Sequence, residues 1–239
     1  MHVPAPEPTH HNNGVDMKFT DLRERVCEGN LQLPRHGLVA WTSGNLSARD
    51  PDTGYIAIKP SGMLYDDMQP SDMVIVDLDG RIIDGERGPS SDTASHLGVY
   101  RARPEVMSVI HTHSTYATAW AATGRPIPCC LTAIADEFGG PIPCGAYAAI
   151  GGDAIGEEII RSIGASPAIL MRQHGVFTIG ASIEKALQAA VMVEDAARTC
   201  AIALGIGTLI NLPDEEIASN HDRYMNRYGT KNASEGVLL

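Results

Sequence analysis

Apolar residues in this chain recur with two periods, and the switches between them outline the elements. Phe19, Leu22 and Val26 are spaced for one helical face, so a helix is expected from near Met17. Short apolar runs at Leu38–Trp41, Tyr55–Ile58 and Val74–Leu78, each bounded by Gly, Pro or Asp, predict strands. Asp79-Gly80 predicts a primed hairpin turn into Arg81–Ile83. Thr93–Arg103 reads as a helix stopped by Pro104, Met107–His113 as a strand and Ala117–Ala122 as a short helix. Ala168–Met171 and Val176–Ile179 read as two strands joined around His174-Gly175. The longest helical pattern is Ile183–Leu204, opened by Ser182 with Glu184 in its first turn and ended by Gly205. Its Ala186, Ala189, Ala190, Val193 and Ala197 suit core or subunit packing, and Trp41 and Trp120 are also read as core. Hairpins mixed with helices predict one α/β domain whose sheet is largely antiparallel.

Residues 1–16 lack this patterning and are expected to be a disordered N-terminal extension. Their Pro and His content gives neither a signal peptide nor more than weak metal binding. The domain is expected over 17–230, with a flexible C-terminal tail at 231–239. The 239 residues carry 29 acids against 18 bases, a net charge of −11 that argues against a nucleic-acid partner. A small phosphorylated substrate stays compatible, because it needs only a local nest of donors. No apolar run is long enough to span a bilayer. The five cysteines form no CxxC pair, which argues against a disulfide framework or a Cys-zinc site and fits a reducing cytoplasm.

His111-Thr112-His113 carries the most chemistry. Residues two apart on a strand share a face, so both imidazoles would converge and supply two legs of a metal site. His174 is the candidate third ligand, because Gly175 beside it permits a sharp turn and close backbone approach. Taken alone, an HxH of this kind is more often a pair of hydrogen-bonded histidines. Pro89-Ser90-Ser91-Asp92-Thr93 precedes a helix start, and its amides and hydroxyls suit a phosphate; Asp92 there also suits an N-cap. Thr42-Ser43-Gly44-Asn45 and Lys59-Pro60-Ser61-Gly62 each follow a short strand and read separately as turns.

In this order, TSGNLS at Thr42–Ser47, KPSG at Lys59–Gly62, PSSDT at Pro89–Thr93, HTHS at His111–Ser114, ADEFGG at Ala135–Gly140, IPC at Ile142–Cys144 and QHGVF at Gln173–Phe177 resemble the class II aldolase and L-ribulose-5-phosphate 4-epimerase family, the aldolase/adducin fold. The resemblance spans about residues 17 to 230. It implies a divalent metal, zinc first with Mn2+ or Co2+ as substitutes, on His111, His113 and His174, with Asp92 close to it. It implies substrate or phosphate contacts from Thr42, Gly44, Asn45, Lys59, Ser61, Gly62, Ser90 and Ser91. It further implies a single α/β domain with a central, mainly antiparallel sheet flanked by helices, and a homotetramer with active sites at subunit interfaces.

Fuculose-phosphate-type aldolases of the family generally carry Glu at the position of Asp92, where it serves as general acid/base, whereas the epimerases carry the shorter Asp. Asp92 therefore favours metal-dependent epimerisation of L-ribulose 5-phosphate to D-xylulose 5-phosphate by C3–C4 retro-aldol cleavage and re-addition. An L-fuculose-1-phosphate type aldolase is the alternative, and the GAYAAIGGDAIGEEI stretch after Cys144 resembles that branch. A dehydratase of methylthioribulose phosphate and a metal-free adducin-like module stand further off. Asp136 matches the epimerase acid/base from the neighbouring subunit. The second acid/base is a tyrosine before a glycine, which Tyr228-Gly229 matches with a short gap; His221 matches a family histidine with the same gap. An ungapped alignment puts Ser234 there and leaves Tyr224 as the alternative.

Overall fold

The computed structural model describes residues 19–228. The expectations for 1–16, 231–239, the helix onset before Phe19, Gly229 and Ser234 lie outside the described residues. A single eight-stranded sheet forms the middle layer. Its strands are β1 (Asn45–Arg49), β2 (Ile56–Ile58), β3 (Val74–Val76), β4 (Ile82–Asp84), β5 (Ser108–Thr112), β6 (Cys144–Gly145), β7 (Ala168–Met171) and β8 (Gly175–Gly180). They lie in the order β4-β3-β2-β1-β5-β8-β7-β6, and every pairing is antiparallel except β6 with β7. The mainly antiparallel α/β architecture expected from the patterning is the one observed.

Period-two alternation decides which face each side chain serves. On β2, Ile56 and Ile58 enter one core while Ala57 enters the other; on β5, Val109 and Ile110 divide in the same way. Helices α1 (Thr20–Arg35) and α6 (Ile183–Ile206) cover the Ala57 face, and α2 (Thr93–Ala102) and α5 (Ala154–Ser162) cover the Ile56 face. A third cluster joins α3 (Thr115–Thr123), α4 (Thr132–Phe138) and α6 around Trp120, Ile134, Leu170 and Val193. The last helix, α7 (Asp214–Asn226), packs on α4 with none of its own residues buried.

Long periodic segments follow their patterns. Ser182 caps α6 by accepting from the Lys185 amide at 3.3 Å, and Ala186, Ala189, Ala190, Val193 and Ala197 are fully buried. The helix continues through Gly205 to Ile206, because Gly207 is the residue that leaves helical geometry. Short segments depart more. Leu38–Trp41 is not a strand: Trp41 adopts φ 57° in a turn and is 79% exposed, which also removes it from the core. The strand there is β1, stitched to α1 by buried Asn30, whose side chain accepts from Leu46 N at 2.8 Å and donates to Leu46 O at 3.0 Å. The β3–β4 turn is not a primed two-residue turn, since only Gly80 has positive φ. Asp77 closes it instead, its Oδ1 accepting from the Asp79 and Arg81 amides at 2.9 Å each.

Candidate metal and phosphate site

The site forms where β1, β5 and β8 run side by side. Asn45 pairs with His111 across β1 and β5, and His111 pairs with Phe177 across β5 and β8. His113 follows the end of β5, and His174 sits in the turn between β7 and β8, where Gln173 takes φ 60°. The ligand-capable atoms of His111, His113 and His174 all lie within 4.8 Å of one another. Gly175 is needed for this approach: a Cβ there would stand 2.6 Å from the Thr112 carbonyl and 2.7 Å from the His113 ring. The sharp backbone geometry belongs to Gln173 rather than to Gly175.

These histidines suit a divalent cation by their protonation as well as their position. His111 is buried, and its Nδ1–H donates to the Val176 carbonyl at 2.9 Å, which leaves the Nε2 lone pair facing His113 Nε2 at 2.9 Å. Burial pushes His111 down to about 3, and burial also lowers His113 and His174, so all three are neutral imidazoles at neutral pH, the form a metal ligand requires. Exposure grades from buried His111 through half-buried His174 to exposed His113, so the cluster opens to solvent on one side. Three neutral imidazoles with an open side fit a catalytic transition-metal site.

Asp92 lies outside that histidine group. It occupies the N-cap position of α2 but makes no side-chain cap bond; its Oδ2 instead accepts from Asn45 Nδ2 at 2.7 Å. Burial raises its pKa, but His111, His96, the Asn45 bond and His174 outweigh this and hold the carboxyl below its ordinary value. The same Asn45 amide donates to Ser90 Oγ at 3.0 Å. Gly44 precedes it with φ 74°, where a Cβ would stand 2.5 Å from Val39 and 2.9 Å from the His111 carbonyl.

Three polar loops meet beside Asn45. Ser90 N donates to Lys59 O and Ser61 N to Gly88 O, each at 3.0 Å, so the Lys59–Gly62 and Pro89–Thr93 loops run together. Buried Lys59 donates from Nζ to the Thr42 carbonyl at 3.1 Å and lies over the Tyr65 ring. Burial lowers the Lys59 ammonium, against the opposing charge of Asp92. Ser61, Gly62 and Ser91 are exposed on the rim, while Ser90 is buried.

Asp136 and Tyr228 are elsewhere within the chain, on the α4–α7 edge. Asp136 receives both of its carboxylate contacts from Arg223 Nη2 at 3.1 Å, and its carbonyl accepts from His221 Nδ1 at 2.8 Å. Tyr228 is 63% exposed and stacks on Tyr224 at 5.3 Å, with Arg223 over its ring at 5.8 Å. The Tyr224 hydroxyl is instead bonded to Glu137 and Gln188. Sequence reasoning missed Arg223, Glu137 and Gln188, and nothing in their local spacing signals them. It also missed fully buried His96, which bonds through Nδ1 to Ser47 Oγ at 2.7 Å. Its position one helical turn after Asp92 was the available clue.

Among the described residues the five cysteines are free and no helix is long and apolar enough to cross a membrane. A family model described as the class II aldolase and adducin N-terminal domain matches residues 24–201. The L-ribulose-5-phosphate 4-epimerase UlaF of Salmonella paratyphi B is 41% identical over 221 residues, covering 87% of this chain and 95% of that protein. A solved L-fuculose 1-phosphate aldolase superposes with a TM-score of 0.83 at 29% identity, covering 89% of this chain and all of that one. The L-fuculose 1-phosphate aldolase from Glaciozyma antarctica, at 23% identity and TM-score 0.75, shares the fold over 91% of this chain and 86% of its own.

Proposed function

The chain belongs to the class II aldolase and adducin N-terminal domain family, whose aldolases are metal-dependent, and we propose that it is an L-ribulose-5-phosphate 4-epimerase producing D-xylulose 5-phosphate. The observation that carries this reading is the 41% identity to a named epimerase over nearly that protein's whole length, together with Asp rather than Glu at position 92. We read the protein as cytoplasmic and as a homotetramer whose active sites lie between subunits.

His111, His113 and His174 would hold the metal, zinc first and Mn2+ or Co2+ as substitutes, with Asp92 beside it. When bound, that cation supplies the Lewis acidity that C3–C4 cleavage of a ketose requires. Asn45 keeps Asp92 and Ser90 in one orientation. Thr42, Gly44, Lys59, Ser61, Gly62, Ser90 and Ser91 form the wall that would bind the substrate and its phosphate, with Lys59 adding positive charge. After cleavage, the glycolaldehyde phosphate stays held by its phosphate while the carbonyl rotates, and re-addition to the opposite face inverts C4.

Such a two-faced reaction needs an acid/base on each side. Asp136, acting on the site of a neighbouring subunit, is assigned as one and Tyr228 as the other. Within one chain the two lie on a common edge, bridged by Arg223. The test is purified protein with zinc and L-ribulose 5-phosphate, following D-xylulose 5-phosphate. Formation at enzymatic rates supports the epimerase; no product sinks it. The similarity to L-fuculose 1-phosphate aldolase keeps one second reading, for which rapid condensation of dihydroxyacetone phosphate with an aldehyde would be the evidence.

A further inference from the structure

The contact between α4 and α7 hides a carboxylate that the reaction chemistry leaves unused. Glu137 follows Asp136 on α4 and is only 9% exposed. Its Oε2 accepts from Gln188 Nε2 of α6 at 2.7 Å and from the Tyr224 hydroxyl of α7 at 3.0 Å, and Gln188 Nε2 also donates to that hydroxyl. Both donors are neutral. A buried carboxylate held this way costs desolvation that an apolar residue of similar size would avoid. Stability alone is therefore a poor account of it.

The packing of α7 supplies a better one. None of its residues is fully buried, and Ile217, half-buried against the third cluster, is its one apolar anchor, which fixes the start of the helix but not how its C-terminal half settles on α4. Polar contacts from two adjacent α4 residues seat that half: Asp136 takes Arg223 and the His221 ring, and Glu137 takes Tyr224. Gly139 lets the His221 ring come close, since a Cβ there would stand 3.1 Å from it. Tyr224 in turn carries the stacked ring of Tyr228. Burial and the Glu137 carboxylate push Tyr224 up to about 12, so its hydroxyl stays a neutral donor rather than a base.

We infer that Glu137 is a positioning residue: through Tyr224 and Gln188 it seats α7 so that Arg223 clamps Asp136 and Tyr228 is presented at the same edge. The inference rests on Asp136 being an acid/base of the proposed reaction. Its structural half is independent of that assignment.

The test uses the full chain loaded with zinc and the variants Glu137→Ala, Glu137→Gln and Tyr224→Phe. Hydrogen exchange of the α7 amides, read by mass spectrometry without substrate, should rise about tenfold in Glu137→Ala and Tyr224→Phe while α2 stays unchanged. The kcat for L-ribulose 5-phosphate should fall about tenfold or more, with KM within about threefold. Glu137→Gln should recover most of both, because an amide oxygen still accepts from the two donors. In an Asp136→Asn background, Glu137→Ala should cost no more than about twofold further, as expected of a residue acting through Asp136. Unchanged α7 exchange overturns the inference, and so does an equal loss of kcat in both backgrounds. A wild-type protein without epimerase activity removes the proposed function instead, and the exchange arm then decides the positioning role by itself.

Discussion

Asn45 and Asp92 form the hinge of the polar site: the Asn45 amide reaches the Asp92 carboxylate at 2.7 Å from the strand position directly opposite His111. One amide thereby fixes a carboxylate, a buried serine and, through the strand ladder, the first metal-ligand candidate. Asn45→Ala should lower kcat/KM by about tenfold to a hundredfold, the range expected for losing a charge-assisted hydrogen bond of roughly 1.5–3 kcal/mol. Steady-state kinetics with metal content measured in parallel checks this. Wild-type kinetics in the variant would remove Asn45 from the site.

His113 is the most exposed of the three histidines, so its removal should leave the fold intact. His113→Ala should lose bound zinc and activity together, by elemental analysis of the dialysed protein and by assay. Stoichiometric metal retained in this variant would end its assignment as a ligand.

Gly175 makes a prediction of different origin, because its role is space. In Gly175→Ala the new methyl must displace the Thr112 carbonyl or the His113 ring, at a cost of about 1–3 kcal/mol of overpacking. Metal affinity should weaken, and competition with a chelating dye would measure it. Unaltered affinity would mean that the site tolerates separation of its histidines.

His96 links stability to pH. Burial pushes its pKa down to about 4 from 6.5, against the raising influence of Asp92. Between pH 6.5 and 4 the unfolded chain therefore binds more protons than the folded one. The stability associated with neutral His96 is complete above 6.5 and is lost as pH falls toward 4, with a slope of about 1.4 kcal/mol per pH unit at most. Urea denaturation at pH 7, 5.5 and 4.5 should show the difference between wild type and His96→Gln shrinking with pH. A constant difference would refute the linkage.

Asp136→Asn should lower kcat for epimerisation by about a hundredfold to ten-thousandfold, leaving a measurable residual rate, while zinc content stays at the wild-type level, since Asp136 contacts Arg223 and His221 rather than the histidine cluster. Full activity in this variant would take Asp136 out of the mechanism.

Where local forces dominate, the chain announced its own structure. The α6 pattern from Ser182 onward, the alternation in β5 and β8, and the two-residue spacing of His111 and His113 each follow from backbone geometry. The order of loop motifs was also enough to identify the family. The apolar run at Leu38–Trp41 misled because short runs carry no directional information, and Asn30 recruits Leu46 and the polar strand after it instead. Partners distant along the chain were invisible for a related reason. The Asn45 amide binding Asp92, Arg223 reaching Asp136, and Glu137 meeting Gln188 and Tyr224 join residues 47 to 87 positions apart. Sequence determined the family, the candidate groups for its chemistry and the longer periodic strands and helices. Only the tertiary structure decided which groups meet, because side-chain hydrogen bonds between helices and loops depend on how the layers pack, and local periodicity does not encode that.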